Sequence, residues 1–173
     1  MNEVCKVLTE RRSIRHYQTR QVEEAALQDI LKAGEYAPSG QGRQPAIMVV
    51  VQDPATIREL SRMNAEVLGK PGIDPFFGAP TVIIVLASRE RYTYVEDGSL
   101  VMGNLMNAAC SLGVDSCWVH RARQMFDSEE GKALLRKWGI EGDYAGIGNC
   151  VLGYRDCELP KPAPRKEHYV YRV

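Results

Sequence analysis

The stretch Thr81-Val82-Ile83-Ile84-Val85-Leu86 decides the fold, being of strand length, rich in β-branched residues and without polar alternation. A strand apolar on both faces must be covered on both, so helices are expected on either side of the sheet that contains it. Ala46-Ile47-Met48-Val49-Val50-Val51 reads the same way, and Val114–Val119 and Ala145–Tyr154 supply two more strands. Helical periodicity fills the gaps between them. Glu3–Glu10 sets Val4, Val7 and Leu8 on one face. Glu23–Tyr36 carries a stripe of Ala26, Leu27, Ile30, Leu31 and Gly34, with acidic residues in its first turn. Pro54–Leu68 turns Ile57, Leu60 and Ser61 inward, and Asp127–Trp138 forms a further helix. The order α, α, β, α, β, α, β, α, β implies an α+β chain of three layers, with no linker to divide residues 1–173 into more than one domain.

Two segments point beyond one subunit. Asp97–Leu112 is apolar around most of its circumference, and 173 residues have limited capacity to surround such a helix. A dimer core is therefore expected. After Tyr154, Pro160, Pro162 and Pro164 force an extended tail, long enough to reach a second subunit and closing in Tyr169–Val173, a candidate edge strand.

Composition narrows the function. The chain is 45% hydrophobic and 25% charged, the balance of a folded globular protein. Lys+Arg and Asp+Glu both total 22, so no basic excess favours nucleic acid. The longest apolar run, Ala79–Ala87, is under half a membrane span, and the charged N-terminus lacks a signal-peptide core. A cytoplasmic location with no membrane partner is expected. The five cysteines, Cys5, Cys110, Cys117, Cys150 and Cys157, are odd in number and lie mostly in apolar stretches, which reads as buried thiols rather than a metal cluster.

Candidate chemistry begins at Arg11-Arg12-Ser13-Ile14-Arg15, where three guanidiniums and a hydroxyl could converge on one phosphate dianion. Ala37-Pro38-Ser39-Gly40-Gln41-Gly42-Arg43-Gln44-Pro45 pairs glycines that let backbone approach a planar ligand with amides that can bond ring heteroatoms. Neither GxGxxG after a strand nor GxxxxGK[ST] occurs, so Rossmann and P-loop sites are unsupported.

The RRSIR segment, a helix, and then APSGxxxQP leading into a strand together resemble the nitroreductase family of FMN-dependent oxidoreductases. The likeness continues through Gly78-Ala79-Pro80, the Asp97–Leu112 helix, Ser116-Cys117-Trp118-Val119, Ile147-Gly148-Asn149-Cys150-Val151-Leu152-Gly153-Tyr154 and the proline-spaced basic tail. It implies a three-layer α/β/α fold with a central mixed or antiparallel sheet and a C-terminal tail reaching the partner subunit. It also implies a homodimer with FMN at the interface, NADH or NADPH as reductant, and a small planar acceptor of nitroaromatic or quinone type reduced by a ping-pong mechanism.

Carried over by position, Arg11, Arg12, Ser13 and Arg15 would hold the phosphate and the polar ring edge, joined by Arg165 from the tail. Pro38, Ser39 and Gly40 would come from the other subunit, and Asn64 matches an amide that reads the flavin pyrimidine. Trp118, Val119 and His120 occupy the segment beside the isoalloxazine, where a backbone N–H typically reaches N5. No protein nucleophile is needed. The His120 side chain is either a proton donor or a group that packs elsewhere, the second being the reading taken here. Gly42 and Ala46 depart from the family's usual Asn and Trp, leaving open volume near the ring. A non-catalytic flavin-binding or flavin-delivery protein is the alternative reading.

Overall fold

In the computed structural model, which describes residues 1–173, the deciding stretch becomes β2, Thr81–Ser88, and lies inside a four-stranded sheet. The other strands are β1 (Ala46–Val51), β3 (Asp115–Val119) and β4 (Tyr144–Gly153), in the spatial order β1-β2-β4-β3. Every pairing between them is antiparallel, and the parallel component is a single bridge between Ser13 and Ser116 outside the named strands. Period-two alternation along β2 sends Val82, Ile84 and Leu86 into one buried cluster and Ile83, Val85 and Ala87 into another. Two cores, one on each face, give three layers.

Helices α2 (Glu24–Glu35) and α4 (Tyr94–Ser111) cover the face of Ile83, with Leu27, Ile30, Met102 and Leu105 fully or almost fully buried there. The opposite face takes α3 (Pro54–Val67), α5 (Ala122–Asp127) and α6 (Glu129–Lys137) through Leu60, Met125 and Leu134. Local chemistry sets the helix starts. Asp53 caps α3 by accepting from Thr56 N at 2.8 Å ahead of Pro54, and Ser128 caps α6 by accepting from Gly131 N at 3.0 Å. The remaining helix, α1 (Glu3–Glu10), is capped by Asn2 and has no buried residue. None of the helices is long and apolar enough to cross a membrane.

Three expectations need correction. The helix read from Asp127 to Trp138 is α6 and starts two residues later, at Glu129, because Ser128 is extended (φ −71°, ψ 158°) and caps it; directly ahead of it stands α5, a helix that the sequence reading did not place. The buried helix begins at Tyr94 rather than Asp97. Tyr169–Val173 forms no strand, and all five residues are exposed: no strand of this chain lies alongside to pair with them. The sheet carries one irregularity, between Val85 and Leu86, where Ile147 is the extra residue of β4. Its side chain packs on α4 where a Cβ at Gly98 would lie 2.5 Å from Ile147 Cγ1.

Candidate active site

The arginine segment leaves α1 and runs beside β3. Ile14, fully buried, pins it, and Ile14 N–H donates to Ser116 O at 3.0 Å. The chain after β4 is steered to the same place by Arg155, whose N–H and guanidinium both bond Asp115 at 3.0 Å. Arg11, Arg12, Ser13 and Arg15 thereby share a cavity of about 810 Å³ with Lys161 and Arg165 of the tail. None of these cations takes part in an ion pair, in a chain whose net charge is zero. Arg12 Nη1 donates to the carbonyls of Thr9 and Arg11 at 2.9 Å, whereas Arg12 Nε and Arg11 Nη1 are buried without a partner. Buried guanidinium donors left open are costly unless an anion meets them, and a phosphate offers the acceptors they lack.

The second predicted segment lies elsewhere. Pro38, Ser39 and Gly40 sit beside the N-terminal end of α4, where Gly40 N–H donates to Asp97 Oδ1 at 2.8 Å. Asp97 is 4% exposed and its other oxygen accepts from Thr93 Oγ1 at 2.8 Å. Ser39 Oγ accepts from Gln44 N at 3.0 Å, and the loop turns through left-handed backbone at Gln41, Gly42 and Gln44. A Cβ at Gly42 would meet nothing within 4 Å, so the loop leaves open space there.

The arginine segment is tied instead to the C-terminal end of α4. Val114 N–H returns to Ala109 O at 2.9 Å, which brings Ser116 and the arginines alongside, and Leu8 of α1 lines a groove with Ala108 and Ser111. Asp97 and Ser111 stand about 21 Å apart at the helical rise of 1.5 Å per residue. Within one chain, the phosphate-type cluster and the Pro38–Gly40 loop are therefore at opposite ends of the same helix.

Beyond β3 the backbone turns sharply. Trp118 lies half-buried over Gly148, where a Cβ would come within 2.5 Å of Trp118 Nε1; Val119 is buried on the other face, and His120 is exposed. The Asn64 side chain is fully buried and bonded within the chain: Nδ2 donates to His120 O at 2.8 Å, and Oδ1 accepts from Arg121 Nε at 3.0 Å. Asn64 thus grips the turn with both polar ends. Arg121 (φ 77°) is a left-handed residue without the freedom of glycine, a strained position held by its surroundings. Burial pushes the Cys117 thiol up, and pushes Cys150 up to about 12, so both are protonated at neutral pH.

Sequence reading passed over Asp97, Arg121 and Asn149 as functional residues. Asn149 had a usable signal, being the one amide within an otherwise apolar buried strand, whereas Asp97 follows Glu96 in the first turn of α4, where two acids read as ordinary helix-start residues. Arg121 had none, since its role depends on Asn64, 57 residues away.

Comparison with known proteins identifies the family and the fold. The nitroreductase family model matches residues 8–154. A protein of Archaeoglobus fulgidus, provisionally named NADH dehydrogenase/NAD(P)H nitroreductase, is 30% identical over 172 residues, covering 98% of this chain and 91% of its own. A Bacteroides fragilis nitroreductase solved with bound FMN superposes with a TM-score of 0.91 at 27% identity over the whole of both chains. A Desulfitobacterium hafniense nitroreductase with bound FMN gives 0.89 at 25% identity, also over the whole of both chains.

Proposed function

Since this chain belongs to the nitroreductase family and is an FMN-dependent NAD(P)H oxidoreductase, we propose that it works as a homodimer with two composite flavin sites. The carrying observation is the separation along α4: the Arg11–Arg15 cluster and the Pro38–Gly40 loop meet on one ligand only when the loop comes from a second copy. The surface supports this reading. Val4 (68% exposed), Leu8 (55%) and Leu100 (46%) present apolar area that one chain leaves uncovered, and Tyr169, Val170 and Tyr171 extend the tail with more.

The open guanidinium donors fit the cofactor's phosphate. Arg11, Arg12, Ser13, Arg15 and Arg165 would hold it, Pro38, Ser39 and Gly40 of the second copy would flank the ring, and Trp118, Val119 and His120 would lie beside it. Bound FMN supplies a centre that accepts hydride from NAD(P)H and passes electrons to an acceptor. The protein's work is then orientation, access and charge. Arg15 is exposed at the mouth of the cluster and would offset negative charge on the reduced ring. Open space at Gly42 suits small planar acceptors such as nitroaromatics or quinones, taken up on the face that the nicotinamide has left. His120 makes no side-chain hydrogen bond in the chain, and the chemistry asks no proton of it.

Anaerobic mixing tests the scheme. The flavin of the purified protein bleaches with NADH or NADPH alone and recovers its colour on adding a quinone. Bleaching that requires acceptor and nucleotide together would exclude the ping-pong order. Arg12→Ala and Arg15→Ala should each release flavin from the purified protein, and tight stoichiometric FMN in both would remove the phosphate assignment.

A further inference from the structure

Two buried asparagines hold consecutive carbonyls of the turn after β3. Asn149 of β4 donates Nδ2 to Val119 O at 3.3 Å, and Asn64 of α3 donates Nδ2 to His120 O at 2.8 Å. Both residues are fully buried, and the sulfur of Met125 lies 3.2 Å from Asn64 Nδ2 and 3.7 Å from Asn149 Nδ2. Asn64 Oδ1 also accepts from Arg121 Nε at 3.0 Å, fixing the side chain of the left-handed residue that closes the turn.

Peptide planarity converts these contacts into a direction. In a trans peptide the carbonyl of one residue and the N–H of the next point to opposite sides, and this chain has no cis bond. Drawing the carbonyls of Val119 and His120 toward the buried amides turns the N–H groups of His120 and Arg121 away from them. Neither N–H has a hydrogen-bond partner in the chain, although His120 is exposed and Arg121 half-buried. Asn149 Oδ1 is itself buried and unpartnered, a penalty that a leucine of similar shape would not carry. What the amide contributes there is its donor end.

We propose that Asn64 and Asn149 are positioning residues that aim the His120 and Arg121 N–H groups at the electron-accepting edge of the bound flavin. This rests on the flavin reading of the turn. On reduction N5 becomes an N–H while the ring carbonyl oxygens gain negative charge, so donors fixed beforehand on those oxygens stabilise the reduced form more than the oxidised one. The pair thus sets the balance between the two forms without touching the cofactor.

The test compares FMN-loaded wild type, Asn64→Leu and Asn149→Leu for FMN content, flavin midpoint potential against a reference dye, and steady-state kinetics. Both variants should keep FMN through the untouched arginine cluster. Their potentials should fall, reporting a loss of about tenfold in affinity for reduced relative to oxidised FMN. The kcat should drop while KM for the nicotinamide changes little. Leu60→Ala, four residues before Asn64 on the same helix and fully buried, serves as the structural control, lowering Tm without moving the potential. Wild-type potentials in both loaded asparagine variants overturn the proposal. A wild-type chain that takes up no FMN overturns the flavin reading, and the positioning role with it.

Discussion

Asp97 holds Gly40 N–H through one carboxylate oxygen and the Thr93 hydroxyl through the other, at 4% exposure. Removing it strands a loop N–H and loosens the backbone that the second copy is proposed to receive. Asp97→Ala should cost about 1.5–3 kcal/mol of stability, the range for hydrogen bonds to a charged group, read from the urea midpoint. FMN affinity should weaken at the same time. At Cys150 the prediction concerns pH. Its thiol is pushed from 9.0 up to about 12 by burial, so the folded chain keeps a proton that the unfolded chain releases. Stability from this group is complete below pH 9 and is lost as pH rises toward 12, with a slope of up to about 1.4 kcal/mol per pH unit. Cys117, raised by the same cause, adds to the slope. Urea midpoints above pH 9 should fall less steeply in Cys150→Ala than in the wild type. The buried thiol was legible from its apolar neighbours in Gly148–Leu152; the opposing partners of Asp97 were not, since Gly40 lies 57 residues away.

At the scale of elements, α5 depends on a glycine in the strand beneath it. A Cβ at Gly146 would stand 2.2 Å from Ala122 O, a backbone atom that moves only if the helix moves. Gly146→Ala should therefore lift α5 off the sheet at a cost of about 1–3 kcal/mol and disturb the Val119–Arg121 turn that leads into it. A lower Tm together with weaker FMN binding is the expected result, and an unchanged Tm would mean that the helix has another seat. Periodicity identified α1, α2 and α3 to within a residue or so of their ends, because each has one apolar face and a capping or breaking residue at its margins. It could not find α5, whose six residues are too few to display a period. It described α4 as apolar around most of its circumference; a single chain covers one face of it, with Asp97, Val101, Met102 and Leu105 buried and Leu100 at 46% exposure.

For the whole molecule, the proposed arrangement makes a stoichiometric prediction. If each site takes its arginines from one subunit and its loop from the other, Arg12→Ala and Gly40→Val should both lose FMN as homodimers. A Cβ at Gly40 would lie 2.7 Å from Thr93 Oγ1, so the second substitution displaces the loop. In mixed dimers the two lesions can fall in the same site and leave the other intact. Unfolding and refolding an equal mixture should then restore FMN to about a quarter of all sites, as random pairing in a twofold dimer requires. No restoration would place both segments in one subunit's site.

The sequence by itself determined the layers of this protein. Two-faced apolar strands need helices on both sides, and the spacing of apolar residues says which face of each helix turns inward. It also named the arginine cluster and the loop, since guanidiniums and glycines are legible as residue types. Only the tertiary structure decided where those segments stand relative to one another, at opposite ends of α4, and that Asn64 and Asn149 converge on one turn from different elements. Burial depends on local composition and can be read along a chain. The direction of a buried hydrogen bond depends on which distant residue the fold brings opposite, and spacing in sequence carries no record of that.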